Sequence, residues 1–84
     1  MRMFILKNCP HCKRAIGWID ELKRENREYE KIEIELVDEQ IDSELANQYD
    51  YYYVPALYDG EFKLHEGAVT KDRIKSIFDF YLKK

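Results

Sequence analysis

The sequence predicts an α/β fold, with a four-stranded mixed sheet flanked by three helices in the order strand, helix, strand, helix, strand, strand, helix. Three observations predict it. The apolar run Met3-Phe4-Ile5-Leu6 leads into a segment whose apolar residues recur at helical spacing from Pro10 onward. A second run, Ile32-Glu33-Ile34-Glu35-Leu36, alternates apolar and acidic side chains with the period of a strand. The dipeptide Asp59-Gly60 separates two short apolar runs, a strong hairpin signal because these residues tolerate positive φ.

The elements follow in order. Met3 to Leu6 reads as a buried strand that breaks at Lys7-Asn8. Between Pro10 and about Asn26, the residues Cys12, Ala15, Ile16, Trp18, Ile19 and Leu22 share one broad helical face, with Lys13, Asp20, Lys23 and Arg24 opposite. Gly17 inside this helix marks a close approach to the sheet, since glycine there costs about 1 kcal/mol relative to alanine. Residues 32–36 form the second strand, with Glu33 and Glu35 on its solvated face. Asp42 or Ser43 caps a short helix reaching about Tyr49, and Asp50-Tyr51-Tyr52-Tyr53 is a loop leading to Val54-Pro55. Ala56-Leu57-Tyr58 and Phe62-Lys63-Leu64 pair across Asp59-Gly60. Gly67 allows a bend, Thr70 caps the last helix, and Ile74, Ile77, Phe78, Tyr81 and Leu82 form its apolar stripe, with Lys83 and Lys84 suited to its C-terminus. The first half can form a parallel pair through a right-handed crossover, and the hairpin can extend the same sheet.

Composition narrows the function. A chain of 84 residues, 45% hydrophobic, fits one domain spanning residues 1–84. A net charge of −3 without a basic aromatic stripe argues against nucleic acid or an anionic membrane as partner. The opening apolar run is too short for a signal peptide or a membrane span, so a cytoplasmic location is expected. In a reducing compartment a lone Cys-x-x-Cys at a strand-to-helix junction is a redox or metal site rather than a structural staple.

Both cysteines of the chain lie in Cys9-Pro10-His11-Cys12. A helix start offers free N–H groups and the positive end of the macrodipole, which favour a thiolate at Cys9 and make it the expected nucleophile. Pro10 suits the first helical position, where its missing N–H costs nothing. Cys12, on the apolar face, is shielded and stays protonated until a mixed disulfide forms. A closed zinc site wants four ligands, whereas the chain offers these thiols plus His11 and His65, so no metal is expected. An iron–sulfur site lacks thiolates. Trp18 reads as core, His65 as a solvated strand residue, and the Tyr51-Tyr52-Tyr53 run as either packing or a substrate-facing patch.

Over nearly its full length the chain resembles the thioredoxin superfamily, and in size and motif context its glutaredoxin-like branch. Cys9-Pro10-His11-Cys12-Lys13-Arg14-Ala15 is similar to C-P-Y-C-x-[RK]-A with His in place of Tyr. Val54-Pro55 is similar to the family's Val followed by a cis-proline, and Gly67-Ala68-Val69-Thr70-Lys71 resembles the thioredoxin ending more than the Gly-Gly and Asp of glutathione-binding glutaredoxins. Lys7 stands two positions before Cys9, where glutaredoxins place a basic residue three before. Tyr53 replaces their Thr, and Asn8 replaces the Trp of thioredoxins.

The resemblance implies a thioredoxin fold and a thiol–disulfide oxidoreductase with a catalytic set of Cys9, Cys12, His11 and Pro10. It also implies a substrate-binding set of Lys7, Tyr53, Val54 and Pro55, with Pro55 cis and the Val54 backbone pairing with an extended substrate. The implied partners are disulfide-containing proteins and glutathione. The implied reductant is glutathione or a thioredoxin-reductase-type donor, with no bound cofactor, and the implied state is a monomer. The alternative class is a redox-sensing or binding module whose dithiol controls a partner without turnover. Pro-His between the cysteines resembles the strongly oxidising members of the superfamily. An imidazole that donates to the thiolate or carries charge would favour the reduced state, so His11→Tyr is expected to raise the Cys9 pKa and make the couple more reducing.

Overall fold

The computed structural model describes residues 1–83; Lys84, assigned above to the last helix end, lies outside them. Strand β1 (Arg2–Ile5) is followed by helix α1 (Pro10–Glu25), whose N-cap is Cys9 and whose first residue is Pro10. Burial along α1 falls on Cys12, Ala15, Ile19 and Leu22, the face expected from the spacing. Trp18 is partly buried and packs against the core, as the sequence indicates.

Gly17 departs from its expected role. A Cβ built there meets nothing within 4 Å, so the position is open and no close approach demands glycine.

Asn26 ends α1 with an extended backbone, and its Oδ1 accepts from the Glu28 N–H at 3.0 Å, capping a one-turn helix α2 (Arg27–Glu30) absent from the expected order. Helix α2 buries Tyr29, whose hydroxyl donates to Asp79 at 2.5 Å. This extra turn displaces the second strand. Ile32 is drawn into the corner, its N–H donating to the Tyr29 carbonyl at 3.1 Å, and strand β2 (Glu35–Asp38) begins three residues later than expected. Glu33 and Glu35 face solvent, but so does Leu36, 47% exposed, while Val37 is buried. As an edge strand, β2 is covered fully on one face only.

Helix α3 (Ser43–Ala46) is capped by Asp42, whose carboxylate accepts from the Leu45 N–H at 3.3 Å; hydrogen-bonded turns then carry the chain to Tyr49. Strands β3 (Ala56–Asp59) and β4 (Phe62–Glu66) form the hairpin, with Asp59 the last paired residue and Gly60-Glu61 the loop. Gly60 has φ +61° and, among the described residues, no non-glycine residue has positive φ, the pattern of a turn that reserves its first position for glycine. Helix α4 (Lys71–Leu82) is capped by the Thr70 hydroxyl, which accepts from the Arg73 N–H at 3.1 Å. It buries Ile74, Ile77 and Phe78; Tyr81 is half-buried, and Leu82 is more exposed than its place in the expected stripe implies.

The sheet order is β2-β1-β3-β4, with β1 parallel to β2 and antiparallel to β3, and β3 antiparallel to β4. This is an α/β thioredoxin-like fold with a mixed four-stranded sheet and, counting the single turn α2, four helices. Alternation along β1 and β3 sends side chains to opposite faces. Met3 and Leu57 join Ala15, Ile19, Leu22, Tyr29, Ile74 and Phe78 on one side. Phe4, Ala56 and Tyr58 meet Val37, Ala46, Tyr49 and Tyr51 on the other, where Phe4 lies 4.8 Å from Tyr49 and 5.1 Å from Tyr51 between ring centroids. Full burial of a side chain such as Phe4 contributes about 1.5–3 kcal/mol. Lys71 of α4 reaches Glu25 of α1 at 2.9 Å, an exposed pair that adds less than about 1 kcal/mol.

Register brings several chain ends together. Phe4 pairs with Ala56, and Ala56 pairs with Glu66, so the C-terminal ends of β1 and β4 and the N-terminal end of β3 share one edge of the sheet. The Glu39 N–H donates to the Ile5 carbonyl at 3.0 Å, which puts the end of β2 there as well.

Candidate active site

Cys9 and Cys12 lie at that edge. The turn after β1 is closed by the Cys9 N–H donating to the Leu6 carbonyl at 3.2 Å, and α1 starts when the Lys13 N–H donates to the Cys9 carbonyl at 3.1 Å. Cys9 is therefore held from both sides by its backbone while its sulfur remains at the helix N-terminus. Both cysteines are free thiols; Cys9 is half-buried and Cys12 is 1% exposed.

These surroundings split the two thiols. For Cys9, desolvation is the largest single influence and opposes ionisation, but it is outweighed by hydrogen bonds from the Cys12 backbone, the Cys12 thiol and the His11 backbone, and by the charge of Arg14. The net result holds the Cys9 thiol below its ordinary range. For Cys12, burial dominates and pushes the thiol up to about 11; the Leu6 backbone pulls the other way, while the neighbouring Cys9 and the charge of Glu39 add to the rise.

The His11 ring is engaged by a neighbour on its own helix. Its Nδ1 lies 2.9 Å from Nη2 of Arg14. A guanidinium can only donate, so Nδ1 is the acceptor in this contact. What His11 brings to the thiolate is its backbone N–H, and the charge comes from Arg14. Arg14 was legible only as part of the motif; its spacing of three from His11 on a helix is the signal that pairs them.

Pro55 directly precedes Ala56, the partner of Phe4, so register sets it abreast of the end of β1 from which Cys9 hangs. The Val54–Pro55 peptide is cis, as the family resemblance implies. Pro55 is buried and Val54 half-buried. The tyrosine run divides: Tyr51 packs on Phe4 and its hydroxyl donates to Glu39 at 3.1 Å, whereas Tyr52 and Tyr53 are 84% and 70% exposed. Lys7 is exposed in the turn before Cys9. His65 is half-buried, with Nε2 donating to the Ala68 carbonyl at 3.0 Å. Glu39 and Glu66 were not legible as neighbours of this region, because each reaches it through tertiary contacts.

A cavity of about 340 Å³, lined by Leu64, Arg73, Ile77 and Phe80 among others, lies between β4 and α4, and none of the expected site residues lines it. Among the described residues no group of three or more His, Cys, Asp or Glu side chains is placed to hold a metal ion, and no helix is long and apolar enough to cross a membrane.

A buried thiol beside a more acidic one, at a helix start on this sheet, defines a thiol–disulfide oxidoreductase of the thioredoxin superfamily. The Glutaredoxin family model matches residues 2–63, and the chain belongs to that family. It is similar to a protein named "Probable Thioredoxin" from Methanothermobacter thermautotrophicus (strain Delta H), with 37% identity over 74 residues, covering 88% of this chain and 85% of the relative. A second "Probable Thioredoxin", from Methanothermobacter marburgensis (strain Marburg), is 37% identical over 57 residues, covering 68% of this chain and 65% of the relative. No solved structure gives a significant match.

Proposed function

We propose that the protein reduces or exchanges protein and glutathione mixed disulfides through a Cys9–Cys12 dithiol, with Cys9 as nucleophile and Cys12 as resolving thiol. The carrying observation is the opposite displacement of the two thiols, Cys9 below its ordinary range and Cys12 up to about 11. The Cys9 thiolate attacks one sulfur of the substrate disulfide. That S–S bond breaks, the departing thiolate takes a proton, and a mixed disulfide remains on Cys9. Cys12 then loses its proton and attacks the Cys9 sulfur, releasing the second substrate thiol and leaving a Cys9–Cys12 disulfide. Two electrons pass from the dithiol to the substrate.

The order of these steps follows from the same interactions. Two of the influences that hold Cys12 protonated come from Cys9 itself, one a hydrogen bond and one its charge. Both vanish when Cys9 enters the mixed disulfide. The resolving thiol thus becomes easier to ionise when its attack is needed.

The dithiol is regenerated by glutathione or a thioredoxin-reductase-type donor, with no bound cofactor. The protein works as a monomer in the cytoplasm, where such reductants operate. An extended substrate pairs with the Val54 backbone beside Pro55, flanked by Tyr53, and Lys7 supplies a positive charge for a substrate carboxylate.

Trapping tests the division of labour. Cys12→Ser is expected to accumulate a mixed disulfide with insulin on Cys9, whereas Cys9→Ser forms adducts far more slowly. Adducts at Cys12 in the Cys9→Ser protein, formed at a rate near that of the parent, would reverse the two assignments.

A further inference from the structure

Glu66 closes β4 at the edge that carries the dithiol, and its carboxylate is spent on another part of the chain. Oε2 accepts from the backbone N–H of Tyr52 at 2.7 Å and of Tyr53 at 3.1 Å, while Oε1 accepts from Lys63 Nζ at 2.6 Å. The side chain is only 19% exposed. Two consecutive loop amides are thus satisfied by one side chain, which fixes the backbone that bears the exposed Tyr52 and Tyr53 rings.

The next residue takes a second grip. Gly67 has φ +87°, and its N–H donates to the Pro55 carbonyl at 2.9 Å. Val54 stands between the two grips. We infer that Glu66 is a positioning residue that presents Tyr52, Tyr53 and the Val54 backbone as one rigid lip beside the dithiol, for docking the extended polypeptide that flanks a substrate disulfide. The inference rests on the oxidoreductase reading above.

Two consecutive exposed tyrosines leading into Val54-Pro55, with their backbone tied down, are what an interface uses. Aromatic side chains supply contact area, and prior ordering lowers the entropy lost on binding. A small disulfide that reaches only Cys9 does not need the lip.

The test compares steady-state reduction of insulin by the parent, Glu66→Ala, Glu66→Gln and Lys63→Ala proteins, with amide exchange followed at Tyr52 and Tyr53. Glu66→Ala is expected to raise KM for insulin about fivefold with little change in kcat, and to speed exchange at both amides. Glu66→Gln keeps an acceptor oxygen and is expected to fall between Glu66→Ala and the parent. Lys63→Ala removes the ion pair but not the amide contacts, so its KM stays within about twofold of the parent. An unmoved KM in Glu66→Ala, or a Lys63→Ala effect as large as that of Glu66→Ala, overturns the inference. Should Glu66→Ala fail to fold, Glu66→Gln decides: raised KM with faster exchange supports the inference, and unmoved values overturn it. A parent that turns over neither insulin nor hydroxyethyl disulfide overturns the oxidoreductase reading and this inference with it, whereas a parent active on both leaves the variants to judge Glu66 alone.

Discussion

Replacing Gly67 with alanine is expected to destabilise the protein without altering the chemistry of Cys9. At φ +87° an L side chain is strained, and left-handed backbone costs a non-glycine residue about 1–2 kcal/mol. Space is not the obstacle, because the added Cβ would stand 3.5 Å from the Tyr53 Cβ, an ordinary contact. The entropy lost from the unfolded chain offsets part of the strain, but at an incompatible φ the strain prevails. Unfolding of an 84-residue chain carries roughly 0.18 kcal/mol/K near its midpoint, at about 2.1 cal/mol/K per residue. A loss of 1–2 kcal/mol then lowers Tm by about 6–11 °C. The assay is thermal unfolding of the reduced protein by circular dichroism, with thiolate absorbance followed in parallel. Cys9 hangs from Leu6 and α1 rather than from Gly67, so its titration is expected to match the parent. An unchanged or raised Tm would refute the strain argument, and a displaced Cys9 titration would refute the independence of the two regions.

Other perturbations read different parts of the structure. Gly17→Ala, in open space within α1, is expected to stabilise by about 0.5–1 kcal/mol, raising Tm where Gly67→Ala lowers it; a loss of stability would restore the close-contact role. Arg14→Gln removes a positive charge that favours the Cys9 thiolate, so absorbance titration is expected to show a higher Cys9 pKa, with a difference that shrinks as salt is added; a salt-insensitive or absent difference would assign the low pKa to the backbone and Cys12 thiol donors. For Cys12 the folded thiol, near 11, binds its proton more tightly than an unfolded thiol at about 8.5. Its contribution to stability is therefore complete below pH 8.5 and lost as pH rises toward 11. Denaturant unfolding is expected to show a steeper alkaline loss for the parent than for Cys12→Ser, in which the tyrosines titrate alike; parallel curves would contradict the burial argument.

What was legible in the sequence was whatever local chemistry dictates. The apolar run before Cys9, the spacing of Cys12, Ala15, Ile19 and Leu22, and the glycine of the hairpin each have one good structural solution, and a parallel pair with a hairpin on the same sheet followed from them. The second strand was misplaced because Ile32 and Ile34 have the right period, yet Ile32 is used by the α2 corner. Asn26, two residues before a glutamate and three before a buried tyrosine, was the unread cap of that corner. In the site, Cys9 and Cys12 were readable from their position at a helix start. The influence of Arg14 on the thiolate, the hold of Tyr51 on Glu39 and the grip of Glu66 on Tyr52 and Tyr53 join residues that only folding brings together. His11 shows the same limit, for its ring partner was invisible until the first turn of α1 set Arg14 beside it.

The central claim is that environment makes Cys9 the attacking thiol and Cys12 the held one. It is tested most directly by alkylating the fully reduced parent protein with limiting iodoacetamide at pH 7 and locating the label by peptide mass spectrometry. The expected result is modification at Cys9 with Cys12 left unlabelled, and a labelling rate that falls as acid protonates the Cys9 thiolate. Equal labelling of the two thiols, or labelling of Cys12 first, would contradict the account.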